Sequence, residues 1–167
     1  MADRPFKTSV RGRKFLKQHE GLRLCPYKVP GANEKYWTIG YGHYGADVKP
    51  GVCITEKRAG ELLKGDLEKT YDPPVRKVLK DCDDVHQCEI DALVSIAYNL
   101  GPGIVSDSGF STLARRLASA ESKTYKKRKT IYRQEFPKWV LAGGVVFPGL
   151  VNRRKDEIRL ATEGKYT

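Results

Sequence analysis

The sequence predicts an α+β fold, mainly helical, with one small antiparallel sheet toward its N-terminal end. From Thr55 onward apolar residues recur at the helical period, whereas Tyr36 to Tyr44 alternates at period two around three glycines. The length of 167 residues matches one domain on a prior of roughly 100–200 residues per domain. With 40% hydrophobic and 31% charged residues the chain can bury a core, which excludes wholesale disorder. We therefore read residues 1–167 as a single domain with no internal repeat.

Taken in order, Phe15, Leu16 and His19 share a helical face with Val10, and Ser9 supplies a cap, so residues 9–20 read as a helix stopped by Gly21. Leu24 to Val29 is short and extended. Pro30-Gly31-Ala32-Asn33 then provides turn chemistry, and Tyr36 to Tyr44 forms a glycine-rich hairpin. Thr55 caps a helix whose Ala59, Leu62, Leu63 and Leu67 lie on one face, and Pro73-Pro74 ends or kinks it. Asp84 with Gln87 reads as a capping box for the strongest helix, where Ile90, Leu93, Val94 and Ala97 repeat at i, i+3, i+4 and i+7. Phe110, Leu113, Ala114 and Leu117 mark another helix and Tyr125 to Tyr132 a basic one. Pro148 opens a last helix with Val151, Arg154, Ile158 and Ala161 on one face.

Charge is unevenly spread. The total is +11, made of +5 over residues 1–23, −3 over 24–114 and +9 over 115–167, which points to a polyanionic partner. Residues Arg115 to Arg133 alone hold eight basic groups and one acid, Glu121. That segment suits a nucleic-acid patch, a membrane-surface helix or a solvated face. Cys25, Cys53, Cys82 and Cys88 show neither metal spacing nor the density of a disulfide scaffold and are read as thiols, with one late-formed bridge as the alternative. No metal site is expected, because His19, His43 and His86 lack ligand spacing, and no cofactor motif is found. The absence of a long apolar run, and of an apolar core in Met1 to Leu16, implies a chain made in the cytosol.

A carboxylate that ends a helix and faces a polar hairpin suits general acid chemistry, and Glu20 in His19-Glu20-Gly21 fits that description. The words around it are specific. His19-Glu20-Gly21-Leu22-Arg23-Leu24 and then Trp37-Thr38-Ile39-Gly40-Tyr41-Gly42-His43 closely resemble the signature of the phage-type lysozymes, the muramidase endolysins of glycoside hydrolase family 24. The resemblance continues through Ala92 to Gly101 and through Trp139 to Arg154. It implies a lysozyme-like fold: a small N-terminal lobe over about residues 20–60, a helical lobe over about 75–167 with the first helix packed back on it, and a substrate cleft between them.

By the same resemblance Glu20 matches the acid that protonates the glycosidic oxygen of the β-1,4 bond from N-acetylmuramic acid to N-acetylglucosamine. Thr38 matches the residue that positions the attacking water, a role its hydroxyl can fill by both donating and accepting. His43 and Asp66 fall where the family places a structural ion pair. Asn99, Asn152 and Arg153 match positions that contact the glycan or cap a helix.

One departure stands out. The family pattern expects an Asp, sometimes a Cys, nine residues after the Glu, yet position 29 is Val, and counting back six from Thr38 lands on Ala32. An inverting glycosidase needs a group to hold its water, with carboxyls roughly 6.5–9.5 Å apart. Glu34, in the inserted turn, or a water on Thr38 is the expected substitute. Loss of the second carboxylate also makes a lytic transglycosylase, which releases anhydro products, the nearest rival. A basic binding or membrane-perturbing module is the rival of another class.

Within the lysozyme reading, bacterial peptidoglycan is the partner rather than nucleic acid, and Arg115–Arg133 serves attraction to an anionic envelope. A monomer is the default. The chain is expected to accumulate in the host cytoplasm until it passes through a holin pore to the wall.

Overall fold

The structure is a computed structural model and describes residues 6–28, 33–106 and 111–166. Of the expectations above, Val29, the turn residues Pro30 to Ala32, and Phe110 lie outside the described residues. The element order is α1 (Val10–His19), a three-stranded sheet of β1 (Arg23–Tyr27), β2 (Trp37–Gly40) and β3 (His43–Gly45), then α2 (Glu56–Asp66), α3 (Asp72–Leu79), α4 (Gln87–Leu100), α5 (Thr112–Leu117) and α6 (Tyr125–Glu135). A two-stranded hairpin, β4 (Leu141–Ala142) and β5 (Val145–Val146), precedes α7 (Pro148–Glu163).

The helix starts follow from their caps. Ser9 Oγ accepts from Gly12 N–H, and Thr55 accepts from Arg58 N–H. The α4 start differs from the sequence expectation. The helix begins at Gln87, and it is Glu89 that reaches back to the His86 N–H at 2.9 Å. Asp84 instead accepts from Tyr125 N–H at 3.0 Å and so caps α6, a contact across the fold that local spacing does not encode.

Pro73 and Pro74 sit in the first turn of α3, where their missing N–H groups cost nothing. The junction with α2 is a π-turn over Leu67–Tyr71 rather than a break.

The core gathers around α4. Its residues from Glu89 to Ala97 are buried on every side, so it is enclosed by the other elements and packs on α7, α1 and α3. Phe15, Leu16, Leu63, Leu67, Leu79, Leu93, Ile96, Tyr132, Phe136 and Leu160 complete one continuous cluster. Where α1 crosses α4, a Cβ at Gly12 would collide with the Asp91 carboxylate, so only glycine permits that approach. Asp91 accepts from Ser9 N–H, Ser9 Oγ, Gln87 and Tyr166, which ties both ends of the described chain to α4.

In the sheet β2 is central and both its neighbours run antiparallel to it. Pro26 falls on the edge strand β1, where a missing donor is tolerated.

Two expectations need correction. Cys25 and Cys53 are joined by a disulfide, whereas Cys82 and Cys88 are thiols. The Ile54 N–H donates to the Leu24 carbonyl at 2.8 Å, and this contact brings the flanking cysteines to a Cα separation of 4.1 Å. The basic segment is also less uniform than its composition implies. Arg128 is fully buried and pairs with Glu89 at 2.7 Å, while Arg116 is held by Glu121 and Glu135. Burial without a partner would be costly for Arg128. The exposed cations left on this segment are Arg115, Lys123, Lys126, Lys127 and Arg133, with Lys129 over the Tyr125 ring.

Candidate active site

Glu20 terminates α1. Its backbone is extended, its N–H closes the last helical turn on the Leu16 carbonyl at 3.1 Å, and its side chain retains 22% exposure. One oxygen lies 2.7 Å from Arg153 Nη2, which reaches it from α7. Arg153 is itself fixed from behind: its Nε is 3.2 Å from Glu157, and its Nη2 donates to the Ser95 carbonyl at 3.4 Å.

Glu157 is fully buried and accepts from Ser95 Oγ at 2.6 Å and from Arg154 Nη2 at 3.3 Å, with Arg154 Nε 2.9 Å from its other oxygen as an ion pair. Arg154 in turn donates to Asn99 Oδ1 at 2.7 Å. Glu20 and Glu157 thus face Arg153 and Arg154, two charges of each sign, which lets the group sit at the core's edge without a net charge. Burial pushes the Glu157 carboxyl above the usual carboxylate range, opposed by Arg154 and Arg153.

His19 stands beside the acid with its ring edge-on to Phe15 at 4.8 Å. Burial, and then the Arg153 charge, lower its pKa, against the opposing pull of Asp156, 3.8 Å from its Nε2. Tyr98 donates to the Tyr41 carbonyl at 2.7 Å and packs on Tyr71 at 4.9 Å. Burial raises its pKa, with Glu20, Asp66 and Tyr27 adding to the shift. Glu20, Asp66, Tyr27, Tyr71 and Tyr98 therefore share one electrostatic neighbourhood.

Thr38 lies on β2, nearly buried, and pairs with Tyr27 on one side and Tyr44 on the other. Cross-strand partners point to the same face, so the hydroxyl sits in the row Tyr27, Thr38, Tyr44. Glu34 is half-buried in the connection before β2, and its carbonyl accepts from Lys28 Nζ at 2.8 Å. His43 Nδ1 is 2.8 Å from Asp66, and its Nε2 is 3.0 Å from Asp47, so β3 is fastened to the end of α2. The Asp66 hydrogen bond is the largest cause of a raised His43 pKa.

Of the residues singled out by sequence, the structure brings Arg153 onto Glu20 and Asn99 onto Arg154, while Asn152 is exposed on the first turns of α7. Sequence reasoning missed Glu157, Ser95, Arg154 and Asp47. The spacing Arg153, Arg154 and Glu157, at i, i+1 and i+4 on one helix, was the available signal for an ion-pair cluster.

Comparison with known proteins agrees with this architecture. The family model described as phage lysozyme matches residues 17–157. Among curated relatives, the endolysin of Bacillus phage PZA is 43% identical over 160 residues, covering 95% of this chain and 56% of its own length. The SAR-endolysin of bacteriophage PS119 is 33% identical, covering 87% of this chain and 78% of its own length. Among solved structures, an endolysin from Escherichia coli O157:H7 phage FAHEc1 superposes with a TM-score of 0.72 at 31% identity, covering 96% of each chain. The muramidase domain of SpmX from Asticaccaulis excentricus gives 0.68 at 29%, covering 92% of this chain and 96% of that one. The chain spans about half the length of the first curated relatives it matches, 56% and 54%. The family model alone spans more than half of the chain, and the Glu20 and Thr38 words lie inside its range: the chain belongs to the phage lysozyme family.

Proposed function

We propose that this chain is a peptidoglycan-degrading endolysin, a muramidase that hydrolyses the β-1,4 bond between N-acetylmuramic acid and N-acetylglucosamine. The observation that carries the reading is Glu20: a partly exposed carboxylate at a helix end, gripped at 2.7 Å by a buried arginine, in a chain of the phage lysozyme family.

In this reading substrate lies in a cleft between the sheet region and the helices, within one domain. Glu20 gives its proton to the glycosidic oxygen as the bond to C1 breaks, and Arg153 holds the carboxylate in place. A water attacks C1 from the other face of the ring, oriented by Thr38, and passes its proton to Glu34 or to solvent. Asn99 and Asn152 bind the glycan, and His43 with Asp66 keeps the sheet on α2. The exposed cations of Arg115–Arg133 draw the protein to the anionic envelope, nucleic acid not being its partner. The protein works as a monomer and leaves the host cytoplasm through a holin pore. Among the described residues no helix is long and apolar enough to cross a membrane.

Glu20→Gln should lower the rate of peptidoglycan lysis by at least about 100-fold, in the range expected when a general acid is removed. Turbidity loss of a cell-wall suspension measures it, with circular dichroism confirming the fold. Unchanged lysis would sink the enzyme reading and favour a basic membrane-perturbing module. Full lysis by Glu34→Gln would remove that residue from the mechanism.

A second reading, a lytic transglycosylase, is favoured by one observation: Val29 and Ala32 stand where a second carboxylate is expected. Mass spectrometry of the released muropeptides separates the two, since transglycosylation gives products one water lighter.

A further inference from the structure

Where α3 and α5 both end, the surface opens into a cavity of about 370 Å³. Its floor is apolar, made by the buried side chains of Val78 and Leu117 with Ala118 and Ala120 beside them. Around it stand three exposed lysines, Lys77, Lys80 and Lys123, against one acid, Asp81. Asp81 lies 3.9 Å from Lys80 in a solvated pair, so positive charge is in excess. A volume of roughly 300–1,000 Å³ with apolar walls and a few polar groups is the usual form of a small-molecule site. None of the lining residues takes part in the Glu20–Arg153–Glu157 group.

The last carbonyls of a helix carry partial negative charge, and two helix ends meeting at one cavity would by themselves favour a cation. Here several of those carbonyls are taken up inside the fold. The Leu79 carbonyl accepts from Cys82 N–H at 3.1 Å, the Leu117 carbonyl from Ser122 Oγ at 2.5 Å, and the Arg116 carbonyl from Ser119 Oγ at 2.8 Å. Just beyond α3, the Asp81 carbonyl accepts from Lys123 Nζ at 2.7 Å, which takes one of the three donors of that ammonium. The walls are also tied to each other. Asp83 N–H donates to the Lys123 carbonyl at 2.8 Å, and Cys82 Sγ lies 3.5 Å from Ser122 Oγ. The cavity is therefore a built feature with an apolar floor and a cationic rim, which selects an anion that carries a small carbon body.

We propose that this cavity binds a phosphate ester of a small polyol, the repeating chemistry of anionic wall polymers, with the phosphate among Lys77, Lys80 and Lys123 and the carbon chain over Val78 and Leu117. Lysine ammonium groups act as point charges that suit a tetrahedral phosphate. The planar fork that best matches a carboxylate belongs to arginine, and among the described residues no arginine lines the cavity. The phosphate ester follows from the cavity itself, whereas the choice of a wall polymer as its source rests on the peptidoglycan reading above. Such a site holds the chain on the wall at a point other than the bond being cut.

The test is calorimetric titration with a glycerol phosphate trimer at about 0.15 M salt, where diffuse attraction to the basic surface is screened. Lys77→Gln/Lys80→Gln should weaken binding about tenfold, the scale of one charge-assisted hydrogen bond. Ala118→Phe, at an exposed position, keeps every charge while filling the cavity, and should weaken binding at least as much. Lys126→Gln/Lys127→Gln removes the same charge from residues that do not line the cavity and should change binding by less than about twofold. In the native chain, bound trimer should slow alkylation of Cys82, which lines the cavity, and leave the rate at Cys88, which does not, unchanged. The proposal is overturned if the trimer does not bind, if the Lys126/Lys127 variant loses as much as the cavity variants, or if inorganic phosphate binds as tightly as the trimer. Protection of Cys82 by phosphatidylglycerol vesicles in place of the trimer also overturns it. Cleavage of sacculi by the native chain is scored separately: trimer binding without cleavage would sink the muramidase reading and leave the phosphate-ester site standing, whereas cleavage without trimer binding would sink only the site.

Discussion

The helical body and the sheet region are built on different principles. Around α4 the protein buries whole side chains, including Arg128, Glu89, Arg154 and Glu157, and meets each buried charge with partners. The sheet region buries little beyond Ile39, Tyr41, Val48 and the face of α2 that carries Ala59 and Leu63. It is kept in shape by discrete fasteners: one disulfide and the His43 bonds to Asp66 and Asp47. A continuous core resists local change, whereas a fastened edge yields wherever a fastener is lost. Glu20 stands on the border, on a helix of the body but followed within three residues by β1.

The sharpest way to break this contrast is inside the body. Arg128→Ala leaves Glu89 buried with only the Tyr132 hydroxyl and the His86 N–H, and should cost about 3–5 kcal/mol in urea unfolding, as a single cooperative loss. A cost below about 1 kcal/mol would mean the pair is dispensable.

In the sheet region, Cys25→Ser/Cys53→Ser opens a loop of sequence separation 28 and should cost about 3.6 kcal/mol on the chain-entropy model. Amide exchange should quicken mainly over β1 and the segment before α2. Uniform quickening across α4 would show that the two regions unfold together and that the contrast is false.

A smaller effect separates the fasteners by pH. Because Asp66 raises the His43 pKa, the stabilisation from that pair is fully present below the unfolded value of about 6.5 and is lost as pH rises through the folded value. Asp66→Asn should therefore cost about 1.5 kcal/mol at pH 5.5 and less at pH 8.5. Comparing the two proteins at each pH cancels the opposite contribution of His19, whose lowered pKa is common to both.

The least effect belongs to the exposed cations. Lys126→Glu/Lys127→Glu should leave stability within about 0.5 kcal/mol and slow lysis severalfold at low salt, a loss that shrinks as salt screens the field. Equal losses at low and high salt would exclude steering.

Most elements were legible because their residues interact locally. The i, i+3, i+4 and i+7 repeat of Ile90 to Ala97 marks α4, and Ser9 and Thr55 mark helix starts by their own hydroxyls. What was not legible depends on distance along the chain. Nothing near Cys25 points to Cys53, nothing near Asp84 announces that it caps α6, and Glu20 meets Arg153 only after the whole body has folded. Arg128 reads as one more cation in a basic run because composition records charge, not the buried Glu89 opposite it. The β4–β5 hairpin escaped because Val140 to Phe147 is apolar almost throughout, with no alternation to reveal a strand. In the candidate site, the Glu20 and Thr38 words were visible, but the residues that aim the acid were not.

Asp91 has one consequence of a mechanical kind. Ser9 Oγ and Tyr166 OH both hold its Oδ2, each at 2.6 Å, so the chain between them is a loop shut by hydrogen bonds. A tug applied at the two ends is carried first by this clasp and reaches the sheet only once the clasp has parted.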